Sequence, residues 1–588
     1  MGIDSKASRA SNAKTSISPG RMNDIALTKA PMLAVPNEKT AKGLRVSNAL
    51  NVGPVTLVAY AAALLCAFPI IAVIIAALAG NTATITRLGG SLLPAYALTT
   101  VTIMMFVALG TAVIGTVTAW LVTACEFPGR KLVEIALVLP LAFPAYVLAY
   151  AYTDLLDHPG WVQTSLRALF DWGPRDYWFP EVRSPGGAAL MLTLVLYPYV
   201  YLLARTAFLM QGLGPFTVAR SLGSSNQIAF WTISVPLVAP AISAGVLLAL
   251  METIADFGTV SHFGVQTLAT GIYTTWFTLG DRAASAQMAL GLLAIALFLF
   301  ALEGLRAKGS DVVSQNANRD RWPRMRLSKG KGLAALTACS LPVLLGAVLP
   351  VIMLVSLAQR SEQQLFSERY WGFFSNSLTL GIVAAIATVA LAVALSYSRR
   401  SSGDRKTIRA SFTLARLGYA VPGAVIALGL FVPIASFENM IDRWARAELG
   451  FSTGLFLSGT IVVLVAAYVI RFMAAALGAW RAGEVTVTRD LDRAAEGLGA
   501  STGAILRRIH IPMLAPAAFT AMLLVFVDTI KELPATLIIR PFGWDTLAVQ
   551  AYRLAADERL EGAAIPSLII VAIGLLPVII LCRRLRTT

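Results

Sequence analysis

Four carboxylates offer the clearest chemistry in this sequence. Glu252 and Asp256 lie four residues apart near the end of one long apolar stretch. Asp528 and Glu532 have the same spacing near the end of another, and this spacing places each pair on one face of a helix. A carboxylate in hydrocarbon costs about 3 kcal/mol or more, so such groups normally face the protein interior or water. The four side chains are therefore candidates for lining a pathway that favours a cationic solute. The alternative is that they fix helix ends, with Lys531 as a neighbouring partner.

The histidines and cysteines do not form a recognisable site. His158, His262 and His510 are isolated, without the spacing of metal ligands. His510 lies in a polar loop between apolar stretches, where we expect it to contact a partner. The cysteines show no paired spacing that would indicate a disulfide framework or a metal knuckle, and they are Cys66, Cys125, Cys339 and Cys582. No nucleophile and base occur together either. We therefore predict no catalytic residue, no metal and no cofactor bound by this chain.

The composition indicates what these residues are embedded in. Of the 588 residues, 57% are hydrophobic and 14% are charged. A soluble protein needs a largely polar surface and could not hide this much apolar area. Apolar runs of about twenty residues, long enough to cross a bilayer, recur along the chain. We predict an all-α polytopic membrane protein with about twelve transmembrane helices. They lie near 54–79, 94–122, 133–153, 187–210, 233–255, 284–305, 333–357, 375–398, 412–436, 453–479, 513–533 and 562–582.

The charge distribution predicts the orientation. The net charge is +16, but no recognition helix accompanies the basic residues, so we predict no nucleic-acid partner. Lys and Arg concentrate in the N-terminal tail and in alternate loops, whereas the loop 154–186 is rich in acidic residues. Because basic loops stay in the cytoplasm, both termini are expected there. The expected location is the cytoplasmic (inner) membrane of a bacterium, with lipid as a partner.

The basic stretch 306–331 lacks a hydrophobic pattern and divides the chain. We predict a cytoplasmic tail (1–50), a first transmembrane domain (51–305), a linker (306–331) and a second transmembrane domain (332–588). Internal similarity supports two pseudo-symmetric six-helix halves. For example, Pro144 corresponds to Pro422, each following a short apolar run.

A loop after the fourth span of each half has the same register. Gly223 pairs with Gly499, Ile233 with Ile509 and Pro236 with Pro512 without a gap. In the second copy an apolar stripe at helical spacing ends at this glycine, and it consists of Leu491, Ala494, Ala495 and Leu498. Ala219 and Leu222 form a thinner stripe in the first copy. We predict a short amphipathic helix that docks into a groove of a partner. The alternative is a helix lying on the bilayer surface.

These loops resemble the cytoplasmic signature of permeases of binding-protein-dependent ABC importers, Ala-Ala-x-x-x-Gly followed by Ile-x-Leu-Pro. The usual opening Glu is replaced by Thr217 and Arg493. The resemblance implies that the loops are coupling helices seated in clefts of an ABC ATPase subunit, expected in two copies. ATP is then used by that partner, since this chain lacks the G-x-x-x-x-G-K-[ST] pattern. It also implies an extracytoplasmic solute-binding protein, for which the loops 154–186 and 256–283 are candidate docking surfaces.

The strings Glu252–Val260 and Lys531–Ala548 are similar to those of the fused two-half permeases of ferric iron importers. Ferric iron is therefore the expected cargo, with thiamine, phosphonate, sulfate or polyamine as alternatives. Six tyrosines could supply phenolate ligands for iron, but aromatic belts at the membrane interfaces explain them more simply. They are Tyr146, Tyr150, Tyr152, Tyr197, Tyr199 and Tyr201.

Two other classes of protein are alternatives to an ABC permease. A secondary transporter can also have six plus six spans with parallel halves. It does not explain why the loops after the fourth span of each half share one register. A membrane enzyme is the third class, and the lack of a catalytic set argues against it.

Overall fold

The computed structural model describes residues 54–90, 92–211, 214–310, 324–363, 367–401 and 405–587. The predicted N-terminal tail and half of the predicted linker, residues 311–323, lie outside the described residues. We call 54–310 the first half and 324–587 the second half. The described residues are helical apart from loops and one two-stranded parallel pair, in which β1 (Cys125–Glu126) lies beside β2 (Met325–Arg326).

In the first half, long apolar helices alternate with short segments at their ends. The α-helices are α1 (Pro54–Ala79), α2 (Ala83–Gly89), α3 (Leu92–Ala124), α4 (Arg130–Ala136), α5 (Ala145–Leu156), α6 (Trp161–Phe170), α7 (Pro185–Gln211), α8 (Gly214–Ser221), α9 (Asn226–Ala229), α10 (Val235–Ala255), α11 (Gly258–His262), α12 (Leu268–Tyr273) and α13 (Arg282–Ser310). A 3-10 turn covers Leu139–Ala142, and π-helical turns cover Phe230–Ser234 and Thr274–Thr278.

The second half follows a similar order. Its α-helices are α14 (Lys329–Val343), α15 (Leu349–Arg360), α16 (Glu368–Ser401), α17 (Lys406–Ala420), α18 (Gly423–Glu448), α19 (Ile461–Glu484), α20 (Arg489–Gly497), α21 (Thr502–Ile505), α22 (Ile511–Met513), α23 (Ala515–Ile530), α24 (Pro534–Ile539), α25 (Leu547–Ala556) and α26 (Leu560–Thr587). Its π-helical turns cover Leu344–Val348 and Leu506–His510.

Ten described helices are long and apolar enough to cross a membrane, and two bent pairs raise the number to twelve. The predicted fold class is therefore confirmed. The predicted span 133–153 is not straight, because the chain bends by 95° between 130–142 and 145–170. A second bend, of 75° between 502–513 and 515–530, lies at the start of the predicted span 513–533. The predicted span 412–436 is also divided, since α17 ends before Pro422 and α18 begins after it.

Prolines explain two of these interruptions. Pro144 and Pro422 both adopt extended backbone angles, with φ −66° and ψ 140° in the first and φ −58° and ψ 144° in the second. Proline has no N–H to donate to the preceding turn, so a helix ends before it and a new one begins after it. Each proline thus turns an apparent span into two helices that meet inside the protein.

The first helix of each half packs against the other half. α1 contacts α16, α17 and α18, and the first span of the second half contacts the first half through α14, which touches α3 and α4, and through its continuation α15, which touches α5. Where α1 crosses α18, a Cβ on Gly429 would lie 2.3 Å from the carbonyl oxygen of Pro69. Only a glycine fits there, so the two backbones touch. This exchange of first helices ties the halves together.

Candidate docking loops and central cavity

The first docking loop (214–236) is a helix, a sharp turn and a second short helix. α8 ends before Gly223, whose φ of +89° lies in the left-handed region that favours glycine. The N–H of Ser224 donates to the carbonyl of Ala219 at 3.1 Å and closes the turn. The Ser225 side chain then accepts from the N–H of Ile228 and caps α9, which leads through a π-helical turn into α10.

The second docking loop (489–512) repeats this geometry. α20 is followed by Gly499 with a φ of +81°. The N–H of Ala500 donates to the carbonyl of Ala495 at 2.9 Å, and the Ser501 side chain caps α21. A π-helical turn again connects to the next span. The two loops thus have the same turn, the same cap and the same π-helical connection.

Aromatic side chains hold the first loop in place. The indole of Trp120, near the end of α3, lies 5.1 Å from the ring of Phe216, 5.1 Å from that of Phe230 and 5.3 Å from that of Phe208. Ala219 is buried in the same cluster, which Met325 of β2 also contacts. The strand β2, at the start of the second half, therefore packs against the first docking loop.

Charged groups hold the second loop in place. Arg400, at the end of α16, donates from Nε to Asp492 at 2.6 Å and from Nη2 to the carbonyls of Val487 and Thr488. His510 lies with Nε2 2.8 Å from the same carboxylate. Burial acts to raise the pKa of Asp492, but the hydrogen bonds from Arg400 and His510 outweigh burial and hold the pKa below its ordinary value.

The tips of both loops are exposed. Leu222 is 81% exposed and Leu498 is 90% exposed, next to the exposed residues Gly223 and Gly499. Of the predicted second stripe, Ala494 and Leu491 are exposed and Ala495 is half-buried. An apolar tip of this kind is available to a partner. That these loops seat an ATPase stays a prediction.

Two predictions about individual loop residues are wrong. Ala219 does not share a stripe with Leu222, because α8 turns Ala219 inward onto Trp120 and ends before Leu222. His510 is not a contact residue, because its ring is fully buried and packs against Tyr397. Ile233 packs against the first cluster and Ile509 is half-buried, whereas Pro236 and Pro512 are exposed.

A central cavity of about 740 Å³ lies between the two halves. At the end near the docking loops its lining includes Glu303, Arg416 and Arg481. The opposite end is lined by packed residues from both halves, among them Phe257 and Leu533. All four predicted pathway carboxylates line this cavity, together with Lys531, which the sequence predicts as their neighbour. Arg471 also lines it, and the sequence gives no signal for that residue beyond a charge in an apolar stretch.

Each carboxylate already has a partner. Asp256 accepts from the N–H and hydroxyl of Thr259 and caps α11. Glu532 accepts from the N–H groups of Ala535 and Thr536 and caps α24. These two residues fix helix ends, as the alternative interpretation held. Their assignment to a transport pathway stays a prediction.

The other two carboxylates form ion pairs within the cavity. Glu252 lies 3.7 Å from Arg471 of the second half, and Asp528 lies 2.8 Å from Lys531. The lining holds five acidic and four basic side chains, so its formal charge is nearly balanced. Among the described residues, no group of three His, Cys, Asp or Glu could hold a metal ion. The cavity at rest is therefore not a carboxylate cage for a cation.

The tyrosines do not form interfacial belts, and that interpretation is wrong. Tyr150, Tyr197 and Tyr201 are fully buried in the helix bundle. Tyr152 donates to the carbonyl of Leu345 in the second half. Tyr146 and Tyr199 line the cavity. Apolar helices on all sides leave these rings no contact with a lipid headgroup.

On the side far from the docking loops, an ion pair that lines a separate small pocket links the two halves. Arg183 donates to both carboxylate oxygens of Glu558, at 2.6 Å and 2.8 Å. This hydrogen bond lowers the pKa of the Glu558 carboxyl. Much of the predicted docking surface 256–283 is unavailable, because α11 and α12 dip into the protein and their residues are largely buried. In the loop 154–186, exposed side chains include Trp161 and Trp178.

Comparison with known proteins places this geometry in a family. Residues 402–587 match the family described as binding-protein-dependent transport system inner membrane component. The Fe(3+)-transport system permease protein FbpB 2 of Haemophilus influenzae is 26% identical over 491 residues, which cover 82% of this chain and 88% of that protein.

Two further relatives cover less of the chain. A protein of Sinorhizobium fredii named "Probable ABC transporter permease protein y4fN" is 24% identical over 438 residues, covering 69% of this chain and 72% of that protein. The molybdenum transport system permease protein ModB of Escherichia coli is 28% identical over 185 residues, covering 30% of this chain and 78% of that protein.

The family match, the similarity along most of the chain and the twelve candidate spans agree with one another. The relatives are transport permeases, and membership of such a family implies an ATPase and a solute-binding protein as partners. Over most of its length the chain therefore resembles the multi-pass inner-membrane permeases of binding-protein-dependent ABC importers, in the form that fuses two permease halves in one polypeptide.

Proposed function

We propose that this chain forms the membrane pathway of an ATP-driven importer of ferric iron. A separate ATPase subunit, present in two copies, hydrolyses ATP and docks on the two loops. An extracytoplasmic binding protein delivers the ion to the opposite side. Both termini face the cytoplasm, and this chain binds no cofactor of its own.

The observation that carries this proposal is the shared geometry of the docking loops. Each loop ends a short helix at a left-handed glycine and exposes a leucine beside it, Leu222 in one and Leu498 in the other. An exposed apolar patch marks an interaction site, and the helix before each leucine carries another exposed apolar side chain, Val218 in the first loop and Leu491 in the second. Two such turns, one per half, fit a partner that binds as two equivalent subunits.

The loops are also connected to the cavity. The Arg481 side chain lines the cavity, and Arg481 is near the end of α19, which leads into the second loop. The first loop leads through a π-helical turn into α10, which carries Glu252 at its far end. A displacement of either loop therefore moves a helix that lines the cavity.

Ferric iron as cargo is supported by the printed name of the Haemophilus influenzae relative and by the carboxylates of the cavity. Because Glu252 and Asp528 are paired with cations, they become available to iron only if Arg471 and Lys531 move away. The same two cations favour a second candidate, an oxyanion, and one relative is named for molybdenum transport.

Uptake into proteoliposomes decides between the cargoes. The full chain, reconstituted with its ATPase and binding protein, is supplied with ferric iron, molybdate or a phosphonate. We expect ATP-dependent accumulation of ferric iron alone. Accumulation of an oxyanion in place of iron would reverse the assignment, and transport driven by an ion gradient without ATP would indicate a secondary transporter.

Docking is tested separately by co-purification. Deletion of residues 494–499, or the single change Leu498→Asp, is expected to abolish association with the ATPase while membrane insertion is retained. A carboxylate at the tip would be buried without a partner in an apolar groove. Leu169→Asp, at an exposed position on α6, serves as the control and should leave association unchanged. Normal co-purification of the Leu498→Asp variant would contradict the proposal.

A further inference from the structure

Two arginines of the second half share one phenyl ring. The guanidinium carbon of Arg399, near the end of α16, lies 4.8 Å from the centroid of Phe412, and that of Arg481 lies 5.1 Å from the same centroid. Phe412 is buried, so the ring is held between helices. Arg416 follows Phe412 by one helical turn and lines the cavity with Arg481. Three cations from three helices thus converge at this end of the cavity.

Among the described residues these charges have little compensation, and the acid that acts electrostatically on Arg481 is Glu484. In the described parts of the chain, neither Arg399 nor Arg481 forms a hydrogen bond or an ion pair with a carboxylate. The carboxylate of Glu484 accepts from the hydroxyl of Ser396. Arg416 has only a loose pair, 3.7 Å from Glu303. A cation–π contact contributes about 0.5–2 kcal/mol and leaves the charge in place.

In the first half, the corresponding arginine is paired with a carboxylate. Glu134 lies ten residues before Pro144, as Phe412 lies ten before Pro422. Arg205 lies eighteen residues before Gly223, and Arg481 is equally placed before Gly499.

In the first half, Glu134 accepts from Nε of Arg205 at 3.0 Å and from Nη1 of Arg130 at 2.9 Å. An acid therefore occupies the position that a phenyl ring occupies in the second half. The arginine is kept in both halves, but its acid is present in only one.

We propose that Arg399, Arg416 and Arg481 form a binding site for a phosphate group, which takes the role that the Glu134 carboxylate has in the first half. Guanidinium groups donate parallel hydrogen bonds to phosphate oxygens and are well suited to this ligand. The site lies beside the second docking loop, since Arg400, next to Arg399, holds Asp492. Basic pockets between helices at this depth bind lipid headgroups, and a soluble phosphate offers the same chemistry.

The test compares the purified full-length wild type with the double variant Arg399→Gln/Arg481→Gln. One arm measures retention of phosphatidylglycerol against phosphatidylcholine by native mass spectrometry. The other measures thermal stabilisation of the delipidated protein by inorganic phosphate. We expect the double variant to bind phosphate-bearing ligand about tenfold more weakly or worse, as the loss of charge-assisted hydrogen bonds implies.

Two further variants make the result specific. Arg369→Gln removes a single guanidinium that lies 5.7 Å from the Phe373 ring at the other end of α16, and it should bind like the wild type. Phe412→Glu gives the second half the acid that the first half has, and it should also lose binding.

A preference for phosphatidylglycerol without an effect of inorganic phosphate assigns the site to lipid, and stabilisation by phosphate assigns it to a soluble anion. The proposal is overturned if the wild type shows neither response, or if the double variant responds as the wild type does.

Discussion

The two docking loops have the same backbone shape but are held by different chemistry. The first rests on rings around Trp120 at the end of α3. The second rests on Asp492, which takes hydrogen bonds from Arg400 and His510 at the end of α16 and in the loop itself. The two loops thus share the turn and its glycine, but different contacts attach them to the rest of the protein.

The difference shows which part of the loop the geometry requires. Apolar packing is non-directional, so a ring cluster holds a helix in place at any pH. Ion pairs are directional, and they depend on the charge state of the acid. α20 has no buried residue of its own, whereas α8 buries Phe216 and Ala219. The second loop therefore depends on its charged contacts far more than the first.

The largest expected effect is on the first loop. Trp120→Ala should lower the free energy of unfolding by about 3 kcal/mol, since it removes the ring at the centre of the cluster and leaves a cavity. Thermal unfolding in detergent measures this. Trp161→Ala, at an exposed position on α6, should change stability by less than about 0.5 kcal/mol. Equal effects of the two changes would contradict the role of the cluster.

The second loop should respond to the loss of one charge. Asp492→Asn leaves Arg400 without its acid and should destabilise the protein by about 2 kcal/mol, the scale of a hydrogen bond to a charged group. Asp490→Asn is the matched control, because Asp490 forms an exposed pair with Arg493 worth about 0–1 kcal/mol. Protease sensitivity of 489–512 should rise in the first variant and not in the second. An unchanged Asp492→Asn protein would show that the charges do not hold the loop.

Lowering the pH should loosen the second loop but not the first. The pKa of Asp492 is lower in the folded protein than its ordinary value of about 3.9. Its contribution to stability is therefore complete above pH 4 and is lost as the pH falls through the lowered pKa. A spin label at position 497 should become more mobile below about pH 4, whereas one at position 221 should not. Equal mobility of both labels across this range would remove the distinction between the loops.

The smallest expected effect on stability comes from removing the hydroxyl of Tyr397. The Tyr397 hydroxyl donates to the carbonyl of Thr502 at 2.8 Å, so Tyr397→Phe should cost about 1 kcal/mol of unfolding free energy. Tyr370 lies on the same helix, and its buried hydroxyl has no partner among the described residues. Tyr370→Phe should therefore cost nothing or slightly stabilise the protein. The reverse order in thermal unfolding would contradict this part of the account.

Much of the fold could be predicted because hydropathy and spacing are local signals. The approximate number of spans and the helix ends at Gly223 and Gly499 could be predicted from the sequence alone. The exchange of the first helices could not be predicted, since an apolar stretch does not specify which helix will cover it. The interruptions at Pro144 and Pro422 could not be predicted either, because membrane helices often tolerate a proline.

The contacts that hold the two loops in place could not be predicted from the sequence either. Asp492 is in the first turn of α20, where a carboxylate needs no further partner to be favourable, and its partner Arg400 lies 92 positions away. Ala219 looked like part of an exposed stripe, because nothing local indicates that Trp120 covers it. In both cases the role of a residue is set by a side chain from a distant helix.

Cross-linking tests the central claim that the two tips seat the ATPase. Leu222→Cys and Leu498→Cys, each in the assembled complex, are treated with a short cysteine-reactive cross-linker, with Leu169→Cys as the control. We predict that both tip variants join covalently to the ATPase and that the control does not. Failure of both tips to cross-link, or cross-linking through position 169, would contradict the account.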